Sequence, residues 1–413
     1  MSLTPMGLRN AVLVHEATHR VGRTSPSNQP CRVPASSFPL TCFRGIAESE
    51  HNSEATRNGA KASLASYERV VKAYHERLTA LAARPAAGNP RHARIIPEAI
   101  LAHLSLTERP DPDKKDEADT RKVPRRSIFD AKHVEAETDL PGELVRSEGE
   151  GKGKDKAVNE AYDNVGHVLD FYKDEFHWKS IDNNDADVVS SVHFGQGYQN
   201  AFWDPEKLQM VFGDGGEYLG NFTGCIDVIG HEITHAVTEH TSPLNYEDQP
   251  GALNEHISDV FGIMIKQKLE NDNVHEANWL IGEGCLMPDV KGVALRSMKS
   301  PGKAYDDPRL GKDPQVDNMN KYEKSYEDNG GVHVYSGIPN KAFYLAAVAF
   351  GGYSWEKAGQ IWWKAMNRGR VPFKCNFKQF ANVTISVARD DFDDEAAETV
   401  RKAWTEVGVI GTA

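Results

Sequence analysis

His231, Glu232, Ile233, Thr234 and His235 set two histidines four residues apart with a glutamate beside the first. On an α-helix, residues four apart differ by about 40° of rotation, so both imidazoles can point at one ion. Glu232 lies about 100° round the helix from His231, near enough to take a proton from a water at that ion without binding the ion itself. A catalytic zinc takes three protein ligands and keeps one position open, and this helix supplies only two. Glu255 is the candidate third. Leu253, Ile257, Val260, Phe261, Met264 and Ile265 recur around it at helical spacing, after Gly251. Two antiparallel helices joined by a loop would set Glu255 opposite the histidine pair and give one catalytic zinc site.

The chain carries its own control for this motif. His15, Glu16, Ala17, Thr18 and His19 fit the same pattern, but Arg20, Gly22, Pro26 and Pro30 follow and forbid a long helix. No later glutamate sits on a credible partner helix, so that copy reads as chance. For 231–235 the bland reading is two surface histidines on an amphipathic helix, and the matching context downstream argues against it.

The rest of the chain must position these groups. Its 413 residues suffice for two or three domains, and 39% hydrophobic content supports a real core. No run approaches the roughly 18 apolar residues of a membrane span, so no membrane partner is expected. The stretch Ala11 to Val14 is too short for a signal-peptide core. A formal charge of −12 argues against a nucleic-acid partner, because phosphate backbones demand a basic face. Five cysteines are an odd count in a long chain and do not make a disulfide framework, although a single bridge is left open.

Residues 1–60 are rich in Arg, Ser and Pro, with Glu16 the only acid before Glu48. That composition predicts a disordered extension, and it also fits an organelle transit sequence. Residues 61–126 read as a helical segment and a linker. Leu64, Tyr67, Val71, Tyr74, Leu78 and Leu81 step by three and four before a stop near Pro85. A second amphipathic stretch runs from Ile95 to Leu106, and Thr107 to Arg126 is almost wholly charged or Pro, an exposed linker suited to cleavage. Residues 127–250 show short β-rich runs, Asp187 to Gly195, Tyr198 to Trp203 and Gln209 to Phe212, with one helix from Val158 to Phe176. Residues 251–413 are mainly helical, over Ile338 to Phe350, Tyr353 to Arg368, Asn376 to Asp390 and Asp394 to Val407. The predicted class is α+β, with a β-rich lobe, a helical lobe and the zinc helix between them.

From Ile128 onward the chain resembles the thermolysin family of zinc metalloendopeptidases, within it the protealysin-like branch. Besides the two zinc segments, the matching blocks are Asn159 to Asp163, Asn200 to Trp203, Gly213 to Gly215, Arg296 to Met298 and Asp328 to His333. The stretch around Pro97 weakly resembles the motif of short protealysin-type propeptides. The resemblance implies peptide cleavage on the amino side of large hydrophobic residues by a self-processed precursor. Expected partners are peptide or protein substrates and the chain's own propeptide in cis, with the enzyme a monomer. Secretion is implied too, with an intracellular or organellar site the alternative.

The resemblance also assigns roles. Glu232 becomes the base, and His333 and Tyr246 the donors to the oxyanion, since the negative oxygen of the tetrahedral intermediate must meet fixed donors. Asp259 would bond the outer nitrogen of His231, Asn254 that of His235, and Asp328 would orient His333. Asn200 and Ala201 would receive an extended substrate by strand addition, and Arg296 would bind the carbonyl on the leaving side. Leu219, Phe222, Val228, Ile281 and Leu295 align with the apolar pocket for the residue after the scissile bond, although each alone reads as a core residue. At the family's double calcium site the aligned residues are Asp227, Lys266, Asn278, Leu280 and Glu283. Calcium wants six to eight oxygens, so its loss is expected here, with Lys266 in its place. The rival readings are a zinc aminopeptidase, for which no Gly-x-Met-Glu-Asn stretch is present, and an inactive peptide-binding relative.

Overall fold

The computed structural model describes residues 40–82 and 124–411. The stray motif at His15 to His19, the Ile95 to Leu106 stretch and most of the Thr107 to Arg126 linker lie outside them. Two helices come first, α1 (Leu40–Glu48) and α2 (Glu54–Ala82). Residues 40–60, expected to be disordered with the rest of the extension, are thus largely helical. Cys42, Phe43, Ile46 and Ala47 on α1 are buried. A helix this short is marginal alone and is held by docking. Cys42 Sγ lies 2.9 Å from the Tyr305 hydroxyl, and the Tyr218 hydroxyl donates to Asn52 Oδ1 at 2.7 Å. The α2 helix covers the predicted Lys61 to Arg84 segment and begins earlier, at Glu54. Arg77 on α2 pairs with Glu239 at 2.5 Å.

A five-stranded sheet follows, in the order β2 (Glu143–Arg146), β1 (Arg126–Asp130), β3 (Val188–Val192), β5 (Gln209–Phe212), β4 (Ala201–Asp204). Arg126, read from sequence as the end of the linker, opens β1. The β1, β3 and β5 strands are parallel, whereas β4 runs antiparallel to β5 and forms one edge. Helix α3 (Lys156–Phe176) packs on this sheet. Its N-cap Asp155 accepts from the Val158 N–H at 3.1 Å, and His177 ends it at a left-handed φ of 54°.

The zinc motif lies on α4 (Ile226–His240), and α5 (Asp248–Glu270) returns beside it. From Ile226 to Glu239 every residue of α4 is buried, so it runs through the core between the sheet and the helical lobe. Two glycines allow the close crossing. A Cβ on Gly262 would sit 2.5 Å from the Asp227 carbonyl oxygen, and one on Gly230 would sit 3.1 Å from Gly262 Cα. Beyond α5, the short pair β6 (Leu280–Ile281) and β7 (Arg296–Ser297) carries pocket candidates, and β8 (Asp306–Asp307) pairs with β9 (Gly311–Lys312). The helical lobe is completed by α6 (Asp328–Tyr335), α7 (Gly337–Phe350), α8 (Lys357–Asn367), α9 (Phe377–Asp391) and α10 (Asp394–Glu406). A capping box of Asn376 and Gln379 starts α9, and Trp362, Phe380 and Trp404 form its aromatic centre. No helix among the described residues is long and apolar enough to cross a membrane.

Candidate active site

The α4–α5 crossing brings His231, His235 and Glu255 together with their ligand atoms within 4.8 Å of one another. The two Nε2 atoms lie 3.1 Å apart, and the Glu255 carboxylate lies 3.3 Å from His231 Nε2 and 3.6 Å from His235 Nε2. Both outer nitrogens are occupied from α5. His231 Nδ1 meets Asp259 Oδ1 at 2.8 Å, and His235 Nδ1 meets Asn254 Oδ1 at 2.8 Å and Ser258 Oγ at 3.2 Å. An acceptor at Nδ1 fixes the proton there and leaves Nε2 as a lone pair aimed at the common point. Glu255 Oε2 is buried with no hydrogen-bond partner, which a native core rarely tolerates without an ion. Three convergent donors, two imidazole nitrogens and a carboxylate oxygen oriented from behind, fit a tetrahedral zinc with one position left over.

Charge in this buried cluster is finely divided. Burial disfavours protonation of both histidines, but Asp259 and Glu255 outweigh it at His231, which is raised to about 9. At His235 burial wins and the pKa falls to about 3. Burial pushes the Glu255 carboxyl up, yet the surrounding histidines, His333 foremost, bring it down to about 2. A dication held by the two Nε2 atoms and Glu255 would compete with protonation of these imidazoles.

Glu232 follows His231 and is wholly buried, and its Oε2 accepts the Trp203 N–H of edge strand β4 at 3.0 Å. Tyr246 stands in the loop before α5, and its hydroxyl donates to Glu255 Oε1. His333 lies on α6, with Nε2 3.3 Å from Glu255 Oε2 and Nδ1 2.7 Å from Asp328 Oδ1. Burial works against its charge, but Glu255 and Asp328 raise its pKa to about 9. The turn that aims it needs glycine. Gly331 has φ 80°, and a Cβ there would sit 2.5 Å from the Tyr335 ring.

Arg296 does not stand alone. Its Nε and Nη2 clasp Asp259 at 2.9 and 2.5 Å, and its side chain is buried. This bidentate pair holds Asp259 far below the usual carboxylate range against the push of burial. Asn200 is buried beside β4, where its side-chain oxygen accepts the Ala201 N–H at 2.9 Å. Leu219, Phe222, Val228, Ile281 and Leu295 all fall in the main hydrophobic cluster, and Ile281 pairs directly with Arg296 across β6 and β7. The sequence reading missed a chain of groups behind Asp259. Asn340 Nδ2 donates to Asp259 Oδ2 at 2.9 Å, its Oδ1 meets His256 Nδ1 at 2.8 Å, and Trp362 Nε1 donates to His256 Nε2 at 2.8 Å.

On the same two helices, Lys266 Nζ donates to Glu283 Oε2 at 2.9 Å and lies at 3.4 Å from the Leu280 carbonyl. Asn278 Nδ2 also donates to Glu283, at 2.7 Å. Asp227 accepts the Gly282 N–H at 2.7 Å. Its burial raises its pKa in spite of the nearby Lys266 ammonium, whereas at Glu283 burial also pushes the carboxyl up but the Lys266 and Asn278 contacts together bring it down.

Comparison with known proteins agrees with this geometry. The thermolysin metallopeptidase catalytic domain matches residues 112–239, and the thermolysin metallopeptidase α-helical domain matches residues 242–409. Protease PrtS of Photorhabdus sp. (strain Az29) is 48% identical over 287 residues, 69% of this chain and 76% of that protein. An extracellular metalloprotease of Pectobacterium carotovorum subsp. carotovorum is 47% identical over 307 residues, 74% of this chain and 86% of that protein. Among solved structures, the precursor of protealysin, a metalloproteinase from Serratia proteamaculans, superposes with a TM-score of 0.74 at 40% identity, covering 91% of this chain and all of that one. The two-lobed fold, the paired domain matches and these relatives establish a zinc metalloendopeptidase made as a precursor, and the chain belongs to the thermolysin family.

Proposed function

We propose that His231, His235 and Glu255 hold one zinc ion and that Glu232 is the base for cleavage on the amino side of large hydrophobic residues. The observation that carries this reading is the convergence of three buried ligand atoms whose outer partners are already fixed. Bound there, zinc supplies a Lewis acid for the peptide carbonyl and makes a water acidic near neutral pH. Glu232, held by the Trp203 N–H, would act as the base that takes a proton from the attacking water and delivers it to the departing amine. His333, kept cationic by Asp328, and the Tyr246 hydroxyl donate to the oxygen that becomes negative. Asp259 and Asn254 fix the histidine rings.

Substrate binds in extended form along the β4 edge, with Asn200 and Ala201 offering main-chain partners. Arg296 meets the carbonyl of the leaving half while it anchors Asp259. The apolar set Leu219, Phe222, Val228, Ile281 and Leu295 accepts the side chain that follows the scissile bond. The helices α1 and α2 belong to a propeptide that docks on the catalytic part through Tyr305, Tyr218 and Glu239 and is removed in the Thr107 to Arg126 linker by the enzyme itself. The extracellular relative supports secretion, with an intracellular or organellar site the alternative. At the place of the family's calcium pair, the Lys266 ammonium supplies the positive charge instead, since dications beside it would be repelled.

Glu232→Gln tests the assignment. It is expected to keep stoichiometric zinc while losing about 10³-fold or more of its activity on an amino-blocked peptide. Wild type is expected to shorten by roughly a quarter through its exposed linker, while the variant stays full length. Loss of zinc, or processing unchanged by the substitution, would overturn the reading.

A further inference from the structure

Close to where Lys266 on α5 meets Glu283, a second pair of groups links the same Glu283–Cys285 turn to the start of α4. Cys225 is the N-cap of α4, and Cys285 ends the helical turn Glu283–Cys285 that follows β6. Their sulfurs lie 3.0 Å apart, closer than two thiols need to be for ordinary packing, and about 1 Å from bonding distance. The approach is built into the neighbours. Gly284 leaves room, because a Cβ there would sit 3.2 Å from Cys225 Sγ and 3.4 Å from Asn221 Nδ2. Asn221, in left-handed conformation at φ 56°, points its amide at Cys225 Sγ at 3.9 Å and at the Gly284 carbonyl at 3.5 Å. The Cys285 carbonyl is itself held by the Gly220 N–H at 3.0 Å.

We propose that Cys225 and Cys285 are a disulfide site, closed by a small-molecule disulfide such as oxidised glutathione, that staples the start of the zinc helix to the segment bearing Ile281. Cys225 is 6% exposed and Cys285 1%, so exchange begins at Cys225. Its thiolate attacks one glutathione sulfur, forming a mixed disulfide and releasing one glutathione thiolate. The Cys285 sulfur then attacks Cys225 Sγ, expelling the second glutathione as thiolate. Both cysteine protons end on the two released glutathiones, which carry the two electrons lost by the protein. Burial and the neighbouring Cys225 and Asp227 hold the Cys285 thiol protonated, so the first attack falls to Cys225, and Cys285 attacks as thiolate only after its proton passes to the released glutathione thiolate.

The bridge closes a loop across α4, α5 and β6, and constraining such a loop raises stability. It adds to the Lys266–Glu283 contact and the Asp227–Gly282 hydrogen bond, which already tie this segment to α5 and α4. It leaves Cys42 and Cys375, both buried, unbridged among the described residues.

The test uses the full chain, purified with reductant, then incubated with oxidised glutathione and alkylated under denaturing conditions. Peptide mapping is expected to show a Cys225–Cys285 cross-link, a mass loss of two hydrogens, and a melting midpoint several degrees higher that falls back with dithiothreitol. Cys225→Ala should abolish both the cross-link and the rise, while Cys375→Ser keeps them. Full alkylation of Cys225 and Cys285 after oxidation of the wild type, or pairing of either with another cysteine, overturns the proposal whether or not the variants fold.

Discussion

On one side of the α4–α5 crossing at Gly230 and Gly262 stand His231, His235, Glu255 and Asp259, and on the other stand Asp227 and Lys266. Both sides bury ionisable groups on the same pair of helices, where an unpaired charge is expensive. On the first side, Arg296 answers Asp259, but Glu255 keeps an oxygen without a hydrogen bond and the two histidine Nε2 atoms converge on the same point. On the second, the chain supplies the cation itself, and Lys266 reaches Glu283 and the Leu280 carbonyl. A donor set left incomplete by the fold is a place for an external ion, and on the proposed reading one supplied with its own ammonium is a place that needs none.

The largest break is expected from Glu255→Gln. It removes an anionic ligand, so zinc affinity should fall by more than about 100-fold, the upper range for groups merely behind the ligands, and activity should fall with it; competition against a chromogenic chelator measures this. Asp259→Asn leaves all three ligands and removes the anion behind His231, so a loss of about 10–100-fold in zinc affinity is expected. It also strands Arg296, so its unfolding midpoint should drop even when zinc is saturating. On the other side, Lys266→Met leaves Asp227 buried without its cation. Because Glu283 remains half exposed and can turn to water, the expected cost is about 1–2 kcal/mol, below the ~3–5 kcal/mol of a fully buried pair, read from denaturant unfolding. The smallest effect is expected from Lys266→Glu, which should not create tight calcium binding, since Leu280 still withholds a ligand; a calcium-dependent rise in its melting midpoint would contradict this.

The zinc site was legible because it is local. His231 and His235 share one helical face, and Glu255 and Asp259 share another, so the 3.6-residue repeat exposes both halves of the cluster. The groups behind it were not. Asn340, His256 and Trp362 sit on three different helices and meet only in the folded chain. Nothing in their local spacing separates them from ordinary core polar groups. Composition misled at residues 40–60, where the Arg, Ser and Pro of the preceding residues mask a helix whose buried face, Cys42, Phe43 and Ile46, is held by contacts to Tyr305 and its surroundings. The resemblance marked Arg296 as a substrate contact, but its tie to Asp259 depends on β6 and β7 meeting α5 and has no sequence signature.

The contrast between the two sides reduces to one measurement, the zinc and calcium content of the purified chain by elemental analysis after dialysis against micromolar amounts of both ions. The account predicts one zinc per chain, lost on Glu255→Gln and kept on Glu232→Gln, with no calcium retained at the Lys266 position. Calcium that stays bound in wild type and is lost on Asp227→Asn or Glu283→Gln, or a chain that takes up no zinc, would contradict it.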